Sequence, residues 1–353
     1  MSSSSVKVLA IGDLHFQAKN LEVYRDVTER LVECAQSNNP DFIVLLGDLL
    51  HTHEKIHVEP LNLITDLVIR LSKIAPTFVI VGNHDYCNNQ QFLTQKHPFN
   101  SFKEFENVVI VDHVVDHEIR SHKFIFCPYV APGRFEEALN TGDCEWKDAN
   151  CIFAHQEFYG CNFNPTTTSE VGDKWDDKHP FVVSGHIHNE QRLQENIYYT
   201  GSCMQHAFGE SSDKTIALLT FGDKTTAIPT ITRINLNIRK KIIKYVDVND
   251  IKTLNIKETY STNTEFKIVI SGNSAQIKTF RKSKKFEKLS SMYTVSFKIC
   301  TDETVSSKLN ESRVTHKFHE VLKDLIKPNK QAVDAYNSLN DESGSYLHKL
   351  DGR

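Results

Sequence analysis

The sequence predicts an α/β protein built around a parallel sheet, on three observations. Its first two-thirds alternates short apolar runs with longer segments of helical spacing. The apolar runs are β-branched and nearly continuous, as expected of strands buried on both faces. The helix-spaced segments fall between consecutive runs, where crossovers must lie if the strands are parallel. The 353 residues are roughly twice a usual domain, so a large core with a smaller companion is expected.

The strands are placed at VKVLAI (6–11), DFIVLL (41–46), TFVIV (77–81), NVVIV (107–111), KFIFC (123–127), NCIFA (150–154), PFVVS (180–184) and NIYYT (196–200). Between the first two, Leu21, Tyr24, Thr28, Leu31, Val32 and Ala35 repeat at helical spacing. Leu61, Ile64, Leu67, Val68, Leu71 and Ile74 do so before the third. TIALLTF (215–221) and AIPTITRINL (227–236) read as a meander completing a second sheet. From about residue 240 glycine almost disappears and lysine rises. EFKIVISG (265–272), a helix-like stretch near 273–282 and YTVSFKIC (293–300) suggest a small strand–helix–strand domain. Phe318, Val321, Leu322, Leu325 and Ile326 then mark an amphipathic helix that Pro328 ends. Ala332, Val333, Tyr336 and Leu339 mark a second. Such a terminal helical pair has little of its own to pack against and is a candidate docking element.

Composition excludes several classes. With 39% hydrophobic residues the chain can build a core, so general disorder is not expected. No apolar run nears the roughly 20 residues of a membrane span, and the MSSSS start lacks the basic region of a signal peptide. None of the eight cysteines forms a CxxC pair, and Cys127, Cys151 and Cys300 sit in strand-like runs. A reducing intracellular compartment is therefore expected rather than a disulfide scaffold. The net charge of −4 hides an asymmetry: residues 1–235 carry 19 Lys+Arg against 31 Asp+Glu, and residues 236–330 carry 20 against 10. A basic module follows an acidic one, and basic modules often meet polyanions.

Five of the strand-like runs end in metal-competent side chains. The first leads into Gly12-Asp13-Leu14-His15, the second into Gly47-Asp48-Leu49-Leu50-His51, and the third into Gly82-Asn83-His84-Asp85. NCIFA leads into His155, and PFVVS into Gly185-His186-Ile187-His188. Open α/β sheets bind ligands beyond the carboxyl ends of their strands, so these blocks form one pocket. Its donors are oxygens and imidazoles with no thiolate, a set suited to manganese, iron or zinc. Seven donors exceed one tetrahedral ion and suit two ions about 3.5–4 Å apart, which clamp a phosphate between them.

D-x-H, GD, GNHD, a lone His and GHxH, in this order over residues 6–188, resemble the signature of the calcineurin-like metallophosphoesterases. A closer resemblance, to SbcD-type DNA repair nucleases, is carried by DFIVLLGDLLH (41–51), with its histidine three after the aspartate. It is carried also by AHQEFYG, SGHIHNEQ and IYYTGSCMQHAFGE, and covers about residues 6–222. The resemblance implies a four-layer αββα core, a two-sheet sandwich flanked by helices, over 1–238. It further implies a small α/β capping domain over 239–312 and a helical tail over 313–353 that docks on an SMC-like ATPase.

It also implies roles. Asp13, His15, Asp48 and His188 would form a first metal site. Asp48, Asn83, His155 and His186 would form a second, with Asp48 bridging. His84 would assist departure of the leaving oxygen, and His51 would orient a nucleic-acid strand. The implied cofactor is a pair of divalent ions, manganese foremost, with magnesium, iron or zinc as alternatives. The implied activity is 3′-to-5′ exonuclease and single-strand endonuclease action in DNA recombination and repair. The implied assembly is a homodimer through helices around 21–36 and 60–74 or 91–105.

The remaining candidates are weaker. His53 and His57 read as surface residues, Asp85 as a loop support and His206 as structural. Arg281, Lys282, Lys284, Lys285 and Lys288, in RKSKKFEK, read either as a solvated helix-to-strand loop or as a DNA contact. The rival functions are the same chemistry on nucleotides or phosphoproteins, and an inert DNA-binding scaffold.

Overall fold

The computed structural model describes residues 5–300 apart from 54, 144, 165, 223–227 and 253–262. The tail expected over 313–353 and the end of the capping domain lie outside the described residues. The chain opens on β1 (Val6–Ile11), crosses through α1 (Leu21–Asn38) to β2 (Phe42–Leu45), and through α2 (Val58–Ser72) to β3 (Thr77–Ile80) and then β4 (Val108–Val111). These four strands pair in parallel, as the crossovers require. A second sheet begins with β5 (Val115–Ile119) and β6 (His122–Cys127), followed by α3 (Phe135–Leu139) and β7 (Cys151–Ala154). A hairpin of β8 (Asn162–Asn164) and β9 (Thr167–Thr168) precedes β10 (Phe181–Ser184), β11 (Gln191–Gln194) and β12 (Ile197–Tyr199). β13 (Ile216–Phe221) and β14 (Thr230–Ile234) come last in this part of the chain.

The two sheets run β14-β13-β1-β2-β3-β4 and β11-β12-β10-β7-β6-β5. In the second, β6, β7, β10 and β12 are parallel, and the edge strands β5 and β11 are antiparallel. The meander of β13 and β14 joins the first sheet beside β1, which corrects its expected place in the second. Residues 216–221 alternate against β1, and Val6 and Phe221 pair at its start.

Packing produces four layers. α1 turns Tyr24, Val27, Leu31 and Ala35 inward, and α2 turns Ile64, Leu67, Val68 and Leu71 inward. Both stripes cover Leu9, Ile11, Ile43, Leu45 and Val79 of the first sheet. The opposite face (Val8, Ala10, Phe42, Val44, Phe78 and Ile80) meets Phe124, Phe126, Phe153 and Val183 of the second sheet. There Phe78 and Phe126 stack with centroids 4.1 Å apart. The outer face of the second sheet (Ile125, Ile152, Val182 and Tyr199) lies under Phe135, Leu139, Trp146 and Trp175. That fourth layer is one five-residue helix with 3₁₀ turns and loops. The fold is a metallophosphoesterase-type α/β sandwich of two mixed sheets.

Among the described residues the chain divides into two compact units. One runs to Lys244 and includes 263–267; the other comprises 245–252 and 268–300. The smaller sheet follows the order β15 (Lys240–Asp247), β16 (Thr264–Gly272), β17 (Thr294–Ile299). Between its last two strands stand α4 (Ser274–Phe280) and α5 (Lys284–Met292). Two local expectations fail. Residues 91–105 contain only a 3₁₀ helix at Asn100–Glu104, because Pro98 cannot sit inside an α-helix. RKSKKFEK is not a loop: Ser283 caps α5 by accepting a hydrogen bond from the Phe286 amide at 3.2 Å. Lys284, Lys285 and Lys288 therefore lie on a helix, and the small domain is strand–helix–helix–strand. Among the described residues no helix is long and apolar enough to cross a membrane.

Candidate metal centre

The carboxyl ends of β1, β2 and β3 in one sheet, and of β7 and β10 in the other, open on the same edge of the sandwich. Each strand there gives way to a tight turn. Asp13, His15, Asp48 and His186 all adopt the left-handed region, with φ of 48°, 45°, 51° and 79°. Such backbone costs free energy in residues bearing a Cβ and persists only where its surroundings enforce it. The glycines allow the close approach: a Cβ on Gly82 would collide with the Asp48 carboxylate, and one on Gly47 with the His155 ring.

The turns bring all seven sequence-predicted donors together. Asp13, His15 and His188 place donor atoms within 4.8 Å of one another, and so do Asp48, His155 and His186. Asp48 Oδ2 lies 3.4 Å from His15 Nε2 and 3.3 Å from His155 Nε2, so it faces both groups. Asn83 Oδ1 lies 3.0 Å from His155 Nε2 and 2.9 Å from His186 Nδ1. Asp13, Asp48 and His155 are almost wholly buried.

Hydrogen bonds fix these side chains from behind. His155 Nδ1 donates to the Leu46 carbonyl at 2.6 Å, which turns the Nε2 lone pair toward the centre. The His84 amide donates to Asp48 Oδ1 at 2.8 Å, and the His186 amide to Asp13 Oδ1 at 2.9 Å. Glu210 Oε1 approaches His188 Nδ1 at 3.5 Å, leaving Nε2 to face inward. Asp85 accepts from the amides of Leu50 and Gly82, each at 3.0 Å, and holds the two turns as a loop support.

The donor set fits a pair of cations. Asp13 Oδ2 is buried with no hydrogen-bond partner among the described residues, a costly state for a carboxylate. His15 Nε2 and His188 Nε2 face each other at 3.0 Å, so two imidazole nitrogens converge where a shared cation could be bound. Electrostatics agree. Burial raises the Asp48 carboxyl, but His155, His15 and His84 outweigh it and hold the group well below the usual carboxylate range. Burial lowers His155, but Asp48 outweighs it and lifts the imidazole to about 9. Both shifts mark a site that favours positive charge beside Asp48.

His84 and His51 stand at the rim. His84 Nδ1 donates to the His51 carbonyl at 2.9 Å, and burial lowers the His84 pKa below the ordinary imidazole value. The His51 ring is exposed, 5.5 Å from His15 and 5.8 Å from His84 between centroids. His53 departs from its expected surface role. It is half-buried and stacks on His84, with centroids 4.6 Å apart and planes at 18°. The signal was the His51-Thr52-His53 spacing, since alternate residues of an extended segment share a side. His57 is exposed as expected. His206 donates Nε2–H to the Asp13 carbonyl at 2.8 Å, the structural place expected of it. Glu210 was given no role, although it closes the AFGE end of a block that carries the SbcD-type resemblance. The basic residues lie in the second unit: Arg281, Lys282, Lys284 and Lys288 are exposed, and the Arg281 guanidinium sits 5.2 Å over the Phe297 ring.

Comparison with known proteins accords with this geometry. The profile of the calcineurin-like phosphoesterase family matches residues 6–190. The chain is 43% identical over 328 residues to the predicted phosphoesterase 078R of Invertebrate iridescent virus 3, covering 92% of each chain. It is 44% identical over 287 residues to the predicted phosphoesterase 244L of Invertebrate iridescent virus 6, covering 79% of this chain and 98% of that one. It is 24% identical over 294 residues to the DNA double-strand break repair protein Mre11 of Sulfurisphaera tokodaii, covering 77% and 75%. With the family's motif blocks meeting around one cluster of buried carboxylates and imidazoles, the chain belongs to the calcineurin-like phosphoesterases, hydrolases with a dinuclear metal centre.

Proposed function

We propose that this phosphoesterase is a DNA nuclease of the SbcD type. In this reading it hydrolyses phosphodiester bonds as a 3′-to-5′ exonuclease and single-strand endonuclease. The carrying observation is the exposed His51 ring, next to His84 and beside the donor cluster. There it can lie against a strand whose phosphate reaches the centre. The similarity to an Mre11 repair protein supports the same substrate class.

Asp13, His15, Asp48 and His188 would hold one divalent ion, and Asp48, Asn83, His155 and His186 the other, manganese being the preferred metal. Such ions, when bound, neutralise phosphate charge and lower the pKa of water. The protein's own part is positioning and proton transfer. With Nδ1–H committed to the His51 carbonyl, the His84 Nε2 carries a lone pair, free to take up a proton and pass it to the departing 3′ oxygen. His53, stacked on the same ring, keeps it in place.

The proposal extends to partners. The basic residues Arg281, Lys282, Lys284, Lys285 and Lys288 would contact DNA phosphates, α1 and α2 would form a homodimer, and residues 313–353 would dock on an SMC-like ATPase. The test is metal-stripped protein reloaded with manganese, magnesium or zinc, and offered single- and double-stranded oligonucleotides beside p-nitrophenyl phosphate. Turnover of single-stranded DNA is expected. Turnover of p-nitrophenyl phosphate alone would instead favour a nucleotide or phosphoprotein phosphatase, and chelator-resistant DNA binding without cleavage a scaffold.

A further inference from the structure

Beside the metal centre lies a cavity of about 680 Å³ lined by Phe163, Asn164, Asn189, Glu190, Phe208, Glu210, Asp213 and Arg233, among others. Two of these residues tie it to the donor cluster. The Phe163 ring is 6.3 Å from the His186 ring, and Glu210 backs His188 at 3.5 Å. Phe163 is 38% exposed, and the Asn189 side chain donates to its carbonyl at 3.2 Å. Phe208 is half-buried, with the Lys241 ammonium 5.9 Å from its ring centre.

The charges decide what the cavity can take. Glu190, Glu210 and Asp213 line it, and the cations beside them are engaged: Arg233 by Asp213 at 2.8 Å and Glu190 at 3.8 Å, Lys214 by Glu210 at 3.4 Å, and Lys241 by the His206 carbonyl at 2.7 Å. Among the described lining residues three carboxylates face one guanidinium, a balance that disfavours a phosphate. A second anionic group would be repelled, whereas a flat uncharged group would meet two aromatic side chains and amide edges from Asn164 and Asn189. We propose that this cavity is a nucleobase subsite. It receives the base of the nucleotide whose phosphate sits at the metal centre, stacking it on Phe208 and Phe163. The inference rests on the nuclease reading and names how that site grips its substrate. Base–aromatic stacking has no hydrogen-bond code and accepts any base.

Two measurements test it. In the first, metal-free protein is mixed with deoxyadenosine, which has no phosphate, and followed by saturation-transfer NMR. The base protons should receive saturation from the wild type and lose most of it in Phe208→Ala, with Phe208→Tyr retaining it. Equal transfer in wild type and Phe208→Ala, or stronger transfer to N-acetylphenylalanine amide than to deoxyadenosine, would overturn the subsite. The second measurement is the ratio of kcat/KM for a single-stranded oligonucleotide to that for bis(p-nitrophenyl) phosphate, which has no base. Phe163→Ala and Phe208→Ala should each lower this ratio about tenfold, the equivalent of about 1.4 kcal/mol. A ratio unmoved in both variants, in a wild type that does cleave DNA, overturns the subsite while leaving the nuclease reading intact. A wild type inert on every oligonucleotide overturns the nuclease reading, and the deoxyadenosine measurement then decides the subsite by itself.

Discussion

At the level of single residues, four of the seven donors sit where the chain accepts strained backbone. Asp13, His15, Asp48 and His186 hold positive φ although glycine would adopt it more cheaply. These donors were legible because each directly follows a strand, so one local pattern announced both the element and the ligand. His53 and Glu210 were not, because their roles depend on partners from other blocks, His84 and His188. Replacing His84 with Ala should leave metal content unchanged while lowering kcat by about 10²–10⁴-fold, the usual reach of a positioned acid. Metal analysis beside single-turnover cleavage checks both halves, and near-wild-type cleavage would remove His84 from the reaction. His53→Ala removes only a ring stack, worth about 0.5–1.5 kcal/mol, so a loss of up to roughly tenfold in kcat with KM unchanged is expected. His53→Phe keeps the stack and should recover most of the rate; if it performs no better than alanine, His53 does not act through stacking.

At the scale of elements, the sequence exposed whatever buries both faces. The strands around Val8, Val44, Val79 and Val183 are continuous apolar runs, and all lie in sheet interiors. The edge strands of the second sheet were missed: Val115–Ile119 alternates half-buried and exposed residues, and Gln191–Gln194 is polar but for Leu193. Edges gain order from a neighbour's backbone, and a one-dimensional pattern does not carry that. α5 was missed for a related reason, since its charged face hid the cap at Ser283. The same logic locates a stabilising device just past β4. The buried Asp112 carboxylate accepts from His97 Nε2 at 3.1 Å, Lys103 Nζ at 2.6 Å and His113 Nδ1 at 2.7 Å. Burial raises its pKa, but these three donors outweigh burial and hold it below the ordinary carboxylate value. A depressed folded-state pKa adds stability above the unfolded-state value of about 4 and loses it as pH falls through the folded value. Asp112→Asn should therefore cost about 2 kcal/mol at pH 7 and flatten the acid limb of stability below about pH 4. Urea unfolding at pH 7 and pH 3 measures this, and an equal loss at both pH values would exclude the linkage.

On the scale of the whole molecule, an acidic core is followed by a basic segment after residue 235, a division of labour that the proposed DNA substrate would use. The core concentrates carboxylates where cations are wanted, and those cations would do more than chemistry. Asp13, His15, Asp48 and Asn83 follow strands of the first sheet, whereas His155, His186 and His188 follow strands of the second. Any ion shared among them is a staple across the open edge of the sandwich, where the apolar packing between the sheets gives out. Without it, Asp13 Oδ2 stays buried and unsatisfied, and two carboxylates must be balanced by protons on histidines. Metal removal should thus lower thermal stability as well as activity. A ligand at 100 times its Kd stabilises by about 2.7 kcal/mol, and in a unit of this size each kcal/mol moves Tm by about 2–4 °C. Chelation should lower the Tm of the core by about 5–10 °C, and manganese should restore it in a concentration-dependent way. Asp48→Asn should blunt that response, because the side chain facing both donor groups then has no full charge to offer. Calorimetry with and without chelator decides the matter: an unchanged Tm in protein shown to have lost its metal would mean that the two sheets close this edge unaided.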